Sequence, residues 1–187
     1  DEFYANGVQS PITKRDGWSY EWNKSMNEPI IHVPVNVKFE PHENKFNSIK
    51  EKSLNKKVTH KTIQRGGRGN AERLLVSFLN ERGRNYAKEM SSPLTAMTSC
   101  SRLSPHISFG NISIKEVYQT AKKKRDSLKG VKGIGFWRSS ISSFLGRLRW
   151  HCHFIQKLED QPKIEWVNMA RAYDNIREND FNENYFE

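Results

Sequence analysis

The chain is poor in cysteine. Cys100 and Cys152 are its two, too few for a disulfide framework, and such usage fits a reducing interior. It lacks any apolar run approaching the roughly 20 residues that span a bilayer, so no membrane partner is expected. No charged-then-apolar leader opens it, and it does not begin with Met. Its other end, NDFNENYFE, stops without a helix cap or a turn signal, so the expectation is a piece of a longer polypeptide. Nothing after residue 70 alternates with period two, which argues against strands there. Acidic residues are outnumbered, 21 Asp and Glu against 31 Lys and Arg, for a formal net charge of +10. That surplus favours polyanions such as DNA, RNA or an anionic membrane without choosing among them, and a merely solvated basic surface accounts for it equally well.

What is present fits one domain of ordinary size: 187 residues, with five Trp and ten Phe to build a core. Residues 1–65 carry no long helical periodicity. Pro11, Pro29, Pro34 and Pro41 favour extended chain, so this part reads as an extended connector on a domain surface, with one short helix around Gly17 to Met26. Between Lys45 and Arg68 stand eight Lys or Arg and one Glu. That stretch is a solvated linker or a patch that tracks a nucleic-acid backbone.

After GGRG the pattern changes. Ala71, Leu74, Leu75, Phe78 and Leu79 form one helical stripe, with Asn70 as N-cap and an end near Gly83. A second helix follows Ser113, which makes a capping box with Glu116 and places Ile114, Val117, Tyr118 and Ala121 on one face. Lys122 to Arg125 fall in its last turns, where cations meet the negative end of the dipole. A third helix runs from about Phe136 to Leu158 with Ile141, Phe144, Leu145, Leu148, Cys152 and Ile155 in its stripe. A fourth is predicted over Ile164 to Ile176. The ordered part reads as mainly α.

Several motifs fail on geometry. His151 and His153 in one helix point about 200° apart, so they cannot share a metal ion, and no second Cys or His cluster has zinc spacing. GGRGN lacks the ending of a phosphate loop, and GVKGIG follows a helix rather than a strand. Two others remain open. Arg147, Trp150, His151 and Phe154 share a face beside the apolar stripe: either a core Trp with a flanking Arg, or a cavity wall that stacks a ring and meets phosphate. SCSRLSPHISFG, residues 99–110, concentrates hydroxyls and one arginine at a loop-to-helix junction. Either Ser101 or Ser104 caps a helix and Arg102 pairs with a carboxylate, or the segment holds a phosphate group.

Tyr86, Ser101-Arg102-Leu103-Ser104-Pro105, Phe109-Gly110-Asn111-Ile112-Ser113 and SSFLGRLRWHCHFIQKLEDQP together resemble the flavin-binding helical domain of the photolyase and cryptochrome family, and QSPITKRDGWSYEW resembles its interdomain connector. The resemblance implies a partial helical FAD-binding domain at 66–187, its N-terminal half, behind a Pro-rich connector at 1–65. It implies FAD as cofactor, contacted by Tyr86, Ser101, Arg102, Leu103, Ser104, Phe144 and Arg147, and an antenna chromophore in a missing upstream domain. Trp150, His151 and Phe154 would face DNA containing pyrimidine dimers, in a monomer. The implied function is light-driven repair of those dimers by a photolyase. The alternatives are a cryptochrome-type blue-light receptor and a flavin-free basic module that binds nucleic acid. This sequence departs from the family at Cys100, where threonine is usual, at Arg147, where Glu is usual, and at His151, where Arg is usual. The ring partners and relay tryptophans of the family lie downstream of residue 187, so this chain by itself is expected to be inactive and to hold flavin weakly or not at all.

Overall fold

The computed structural model describes residues 7–9, 11–31, 36, 38 and 64–176. Among them there is no strand. The chain folds into α1 (Trp18–Asn27), α2 (Arg68–Asn80), three short helices α3 (Tyr86–Glu89), α4 (Ala96–Ser99) and α5 (Ser104–Ser108), then α6 (Ile114–Ser127) and α7 (Trp137–Asp160). Single 3-10 turns lie at Arg82–Asn85, Pro162–Glu165 and Arg171–Tyr173. The basic stretch from Lys45 falls mostly outside the described residues.

α7 is the axis on which α3 and α6 pack. Its stripe of Ile141, Phe144, Leu145, Leu148 and Cys152 is buried, as the spacing predicts, with Ile155 half-buried. Ala71, Leu75, Phe78 and Leu79 of α2 and Ile114, Val117, Tyr118 and Ala121 of α6 complete one continuous core. Each Val, Leu, Ile or Phe among them contributes on the order of 1.5–3 kcal/mol when fully removed from water.

The short helix expected near Gly17 is α1, and it is part of this core rather than laid over it. Trp18, Trp22 and Met26 recur every four residues and are all buried. Trp22 meets Tyr118 edge-on at 5.1 Å. Glu28 then turns extended before Pro29, whose ring disfavours helix at the preceding residue.

Helix starts differ in how they are held. Ser113 caps α6 as expected, its Oγ accepting from the Lys115 amide at 3.2 Å. The Glu116 carboxylate bonds the Arg68 guanidinium, tying the start of α2 to α6. α2 itself begins at Arg68 behind Gly67, not at Asn70. The Asn70 amide lies inside the first turn and donates back to the Gly66 carbonyl at 2.6 Å.

The fourth helix does not form. Pro162 stands at the head of a 3-10 turn directly after α7, and the two turns at 162–165 and 171–173 bury no residue. Trp166, Val167, Met169, Tyr173 and Ile176 stay exposed. A periodic pattern is not enough when no facing element covers the stripe.

Candidate functional site

The SCSRLSPHISFG segment becomes a tight bend between α4 and α5, and the residue that shapes it is Arg82. From the turn after α2, its Nη1 donates to the carbonyls of Thr98 at 3.0 Å and Cys100 at 2.6 Å. Its Nη2 donates to Leu74 O at 3.2 Å and Ser101 O at 3.4 Å, and its Nε to Ser77 Oγ at 2.8 Å. Burial pushes its pKa below the usual guanidinium value, but Arg stays charged in proteins. In a trans peptide the C=O and the following N–H are antiparallel. With the Cys100 and Ser101 carbonyls turned onto Arg82, the amides of Ser101 and Arg102 point the opposite way.

Arg102 itself sits at φ 62°, in the left-handed region that few residues other than glycine enter. Its carbonyl accepts from Gln64 Nε2 at 2.8 Å, and its Nη1 lies 3.0 Å from Met97 Sδ. No carboxylate among the described residues pairs with it. The Ser101 hydroxyl accepts from the Leu103 amide at 3.4 Å. Ser104 opens α5 with its side chain exposed, while Leu103 is buried. Consecutive amides around a left-handed residue form a concavity suited to an anion, and here it carries a guanidinium and hydroxyls beside it.

Tyr86 and Phe144 meet beneath the bend. Their rings lie 6.0 Å apart edge-on, and both contact Phe78, at 5.4 Å and 4.6 Å. Ser140 fixes this register: the Ala87 amide donates to its hydroxyl at 3.1 Å, and that hydroxyl donates to the Arg84 carbonyl at 2.9 Å. Burial raises the Tyr86 hydroxyl, Cys100 adds to the rise and Arg147 opposes it, so the bend, Tyr86 and Arg147 share one electrostatic neighbourhood. Arg147 is exposed. His106 on α5 is buried, and its Nδ1 accepts from Asn111 Nδ2 at 3.3 Å. That puts the ring proton of the neutral form on Nε2, which has no partner among the described residues.

The donor types at the bend fit the diphosphate of a flavin dinucleotide: the amides of Ser101 and Arg102 turned away from Arg82, the hydroxyls of Ser101 and Ser104, and the Arg102 guanidinium, which pairs with no carboxylate among the described residues. The ring end is less provided for, because Phe144 is packed between Phe78 and Tyr86.

The second group lies two turns along α7. Trp150 and Phe154 are 52% and 51% exposed, so Trp150 is not a core residue. Their rings stand 5.7 Å apart. His151 is half-buried beside Cys152, its Nδ1 3.9 Å from Sγ, and burial lowers its pKa, which favours the neutral ring. His153 faces Trp18 and Arg15 instead. Among the described residues no cluster of His, Cys, Asp or Glu has the makings of a metal site, and no helix is long and apolar enough to cross a membrane.

Sequence reasoning singled out the bend but missed Arg82, one of two arginines in ERGRN with no motif around it. It also missed that α1 helps to build the molecule, although the spacing of Trp18, Trp22 and Met26 was there to read.

No family model matches the chain, and no solved structure matches it. Two curated proteins are similar in sequence. A deoxyribodipyrimidine photo-lyase of Streptomyces griseus is 30% identical over 115 residues, 62% of this chain and 22% of the relative. A deoxyribodipyrimidine photo-lyase of Halobacterium salinarum is 32% identical over 104 residues, 56% of this chain and 21% of the relative. Over more than half of its residues, then, the chain is similar to photo-lyases, and its match spans about a fifth of their length.

Proposed function

We propose that this chain belongs to the photolyase family and forms the N-terminal half of its helical FAD-binding domain, with 1–65 as the connector to an upstream domain. The whole protein would be a light-driven DNA photolyase acting on pyrimidine dimers. One observation carries the reading: Arg82 draws the carbonyls of residues 98, 100 and 101 inward, so that the amides of Ser101 and Arg102 face the other way, beside the Ser101 and Ser104 hydroxyls, where a phosphate-bearing ligand could take them. Similarity to two photo-lyases says which ligand to try first.

In this reading Ser101, Arg102 and Ser104 hold the diphosphate, and Leu103, Tyr86 and Phe144 form the apolar wall behind it. Arg147 adds positive charge at the rim. Trp150 and Phe154 offer exposed ring faces to the bases of a dimer swung out of the duplex, and the basic surface holds the strand by its phosphates. Bound and reduced, a flavin would supply the light-driven electron transfer that splits the dimer.

His151 favours a second reading. A neutral, half-buried ring stands where the family usually places an arginine, so one cation that would grip damaged DNA is missing. A cryptochrome-type receptor would tolerate that loss.

The test is photorepair of a thymine-dimer oligonucleotide by the full-length protein. The photolyase reading expects dimers to disappear in light and persist in the dark. Flavin photoreduction without repair supports the receptor, and a colourless protein that takes up no flavin defeats both.

A further inference from the structure

Arg102 carries the guanidinium of the bend, and that guanidinium rests on sulfur. Its Nη1 lies 3.0 Å from Met97 Sδ on α4. A guanidinium only donates, and a thioether is a weak acceptor. The contact therefore holds the arginine loosely and yields to any stronger acceptor. Met97 is 56% exposed, so reagents in solution reach its side chain.

The four methionines of the chain differ in this respect. Met26 is sealed in the core, and Met90 is half-buried against it. Met169 is nearly as open as Met97, at 52%, with no guanidinium bonded to its sulfur among the described residues. Met97 alone joins an open thioether to a cation of the bend.

Oxidation reverses the weakness of that contact. A peroxide takes two electrons from the thioether: an S–O bond forms and the O–O bond breaks. One oxygen stays as the sulfoxide, and the other leaves as water with both hydrogens. The new oxygen is a polar acceptor facing a charged donor, and such charge-assisted bonds are roughly twice as strong as neutral ones. Both partners are held in reach. The Ser99 hydroxyl donates to Glu89 and Arg82 binds the Thr98 carbonyl, which pins α4, while Gln64 Nε2 holds the Arg102 carbonyl at 2.8 Å. A methionine sulfoxide reductase undoes the step: two thiols become a disulfide, and the oxygen leaves as water.

We propose that Met97 is a reversible oxidation site whose sulfoxide latches the Arg102 guanidinium onto α4 and withdraws it from the bend. The latch needs no flavin. Its consequence, weaker flavin binding, rests on the reading of the bend as the diphosphate site.

The experiment treats the full-length protein, without flavin, with dilute hydrogen peroxide and maps the sulfoxides by peptide mass. The rate at which phenylglyoxal, a reagent for open guanidinium groups, labels Arg102 is then compared with that of Arg149, which is exposed on α7. Met97 should oxidise on the order of tenfold faster than Met26, since susceptibility follows exposure. Labelling of Arg102 should slow several-fold against Arg149 and recover after reductase treatment. Peroxide-treated Met97→Leu, a swap of similar volume that cannot be oxidised, should keep its rate. Oxidised wild type should bind FAD on the order of tenfold more weakly, the worth of one hydrogen bond to a charged group, and Arg102→Ala should lose nothing further on oxidation. The latch is overturned if Met97 oxidises no faster than Met26, if Arg102 keeps its labelling rate, or if Met97→Leu slows as much as wild type. Slowed labelling with unchanged FAD affinity supports the latch and contradicts the bend as the diphosphate site.

Discussion

The two halves of α7 use aromatic side chains for opposite purposes. In the first half Phe144 is enclosed by Phe78 and Tyr86, and Ser140 stitches the helix to the α3 segment. In the second half Trp150 and Phe154 stand half in solvent, while burial passes to Cys152 and Gln156. Residue type alone does not separate them. What differs is which neighbours cover each turn: α2 and α3 lie over the first half, while α1, Gln9, Ile12 and Arg15 lie beside the second. The first half holds the molecule together and positions the bend; the second presents ring faces.

The sharpest way to break this contrast is to truncate one aromatic in each half. Phe144→Ala opens a cavity among three rings and should cost about 3–5 kcal/mol in urea unfolding. Trp150→Ala should cost less than about 1 kcal/mol, since half its surface is already wet. Equal losses would mean that the exposed face is packed in solution.

Next in size is Arg82. Arg82→Met keeps the stem but takes their side-chain donor from the carbonyls of Thr98, Cys100 and Ser101, and about 1–3 kcal/mol of stability should go with it. The first amides to lose protection in hydrogen exchange should be those of α4 and the bend. A loss spread evenly over the chain would show that Arg82 does not shape this segment.

A smaller effect sharpens the far end of α7. Asp160 accepts from Gln156 Nε2 at 2.7 Å, from the Ile12 amide at 3.1 Å and from Arg15 at 2.9 Å. Desolvation would raise its pKa, but these bonds together hold it below the ordinary carboxylate value. The folded state therefore favours the charged form. Its contribution is complete above the unfolded pKa, about 3.9, and fades as pH falls through the lower folded value. His151, lowered by burial, acts earlier: the fold favours its neutral ring, so stability declines as pH drops below about 6.5. Melting temperatures should fall in two stages on acidification. Asp160→Asn should remove the lower stage and leave the upper, and an unchanged lower stage would dismiss the Asp160 latch.

Much of this fold was legible because the stripes of α2, α6 and α7 repeat at helical spacing and each has a partner. Ser113 was legible as a cap because its hydroxyl acts within two residues. The failed helix at 164–176 shows the limit: its apolar residues follow the right period, but no described element covers them. Asn70 misled because an Asn before a stripe looks the same whether it caps a helix or lies in its first turn. The bend could be suspected from its hydroxyls and Arg102. Its orientation could not, because Arg82 reaches it from 16 to 19 residues upstream. The contact of α1 with α7 joins residues more than a hundred positions apart, beyond any local pattern.

The most direct measurement is the affinity of the full-length protein for FAD, by calorimetric titration, beside Arg102→Ala. Alanine keeps a Cβ, so the left-handed backbone costs the same and the guanidinium alone is removed. Loss of a charged phosphate bond of about 1.5–3 kcal/mol should weaken binding by roughly ten- to a hundredfold. Equal affinity for both proteins would contradict the claim that this bend holds the diphosphate.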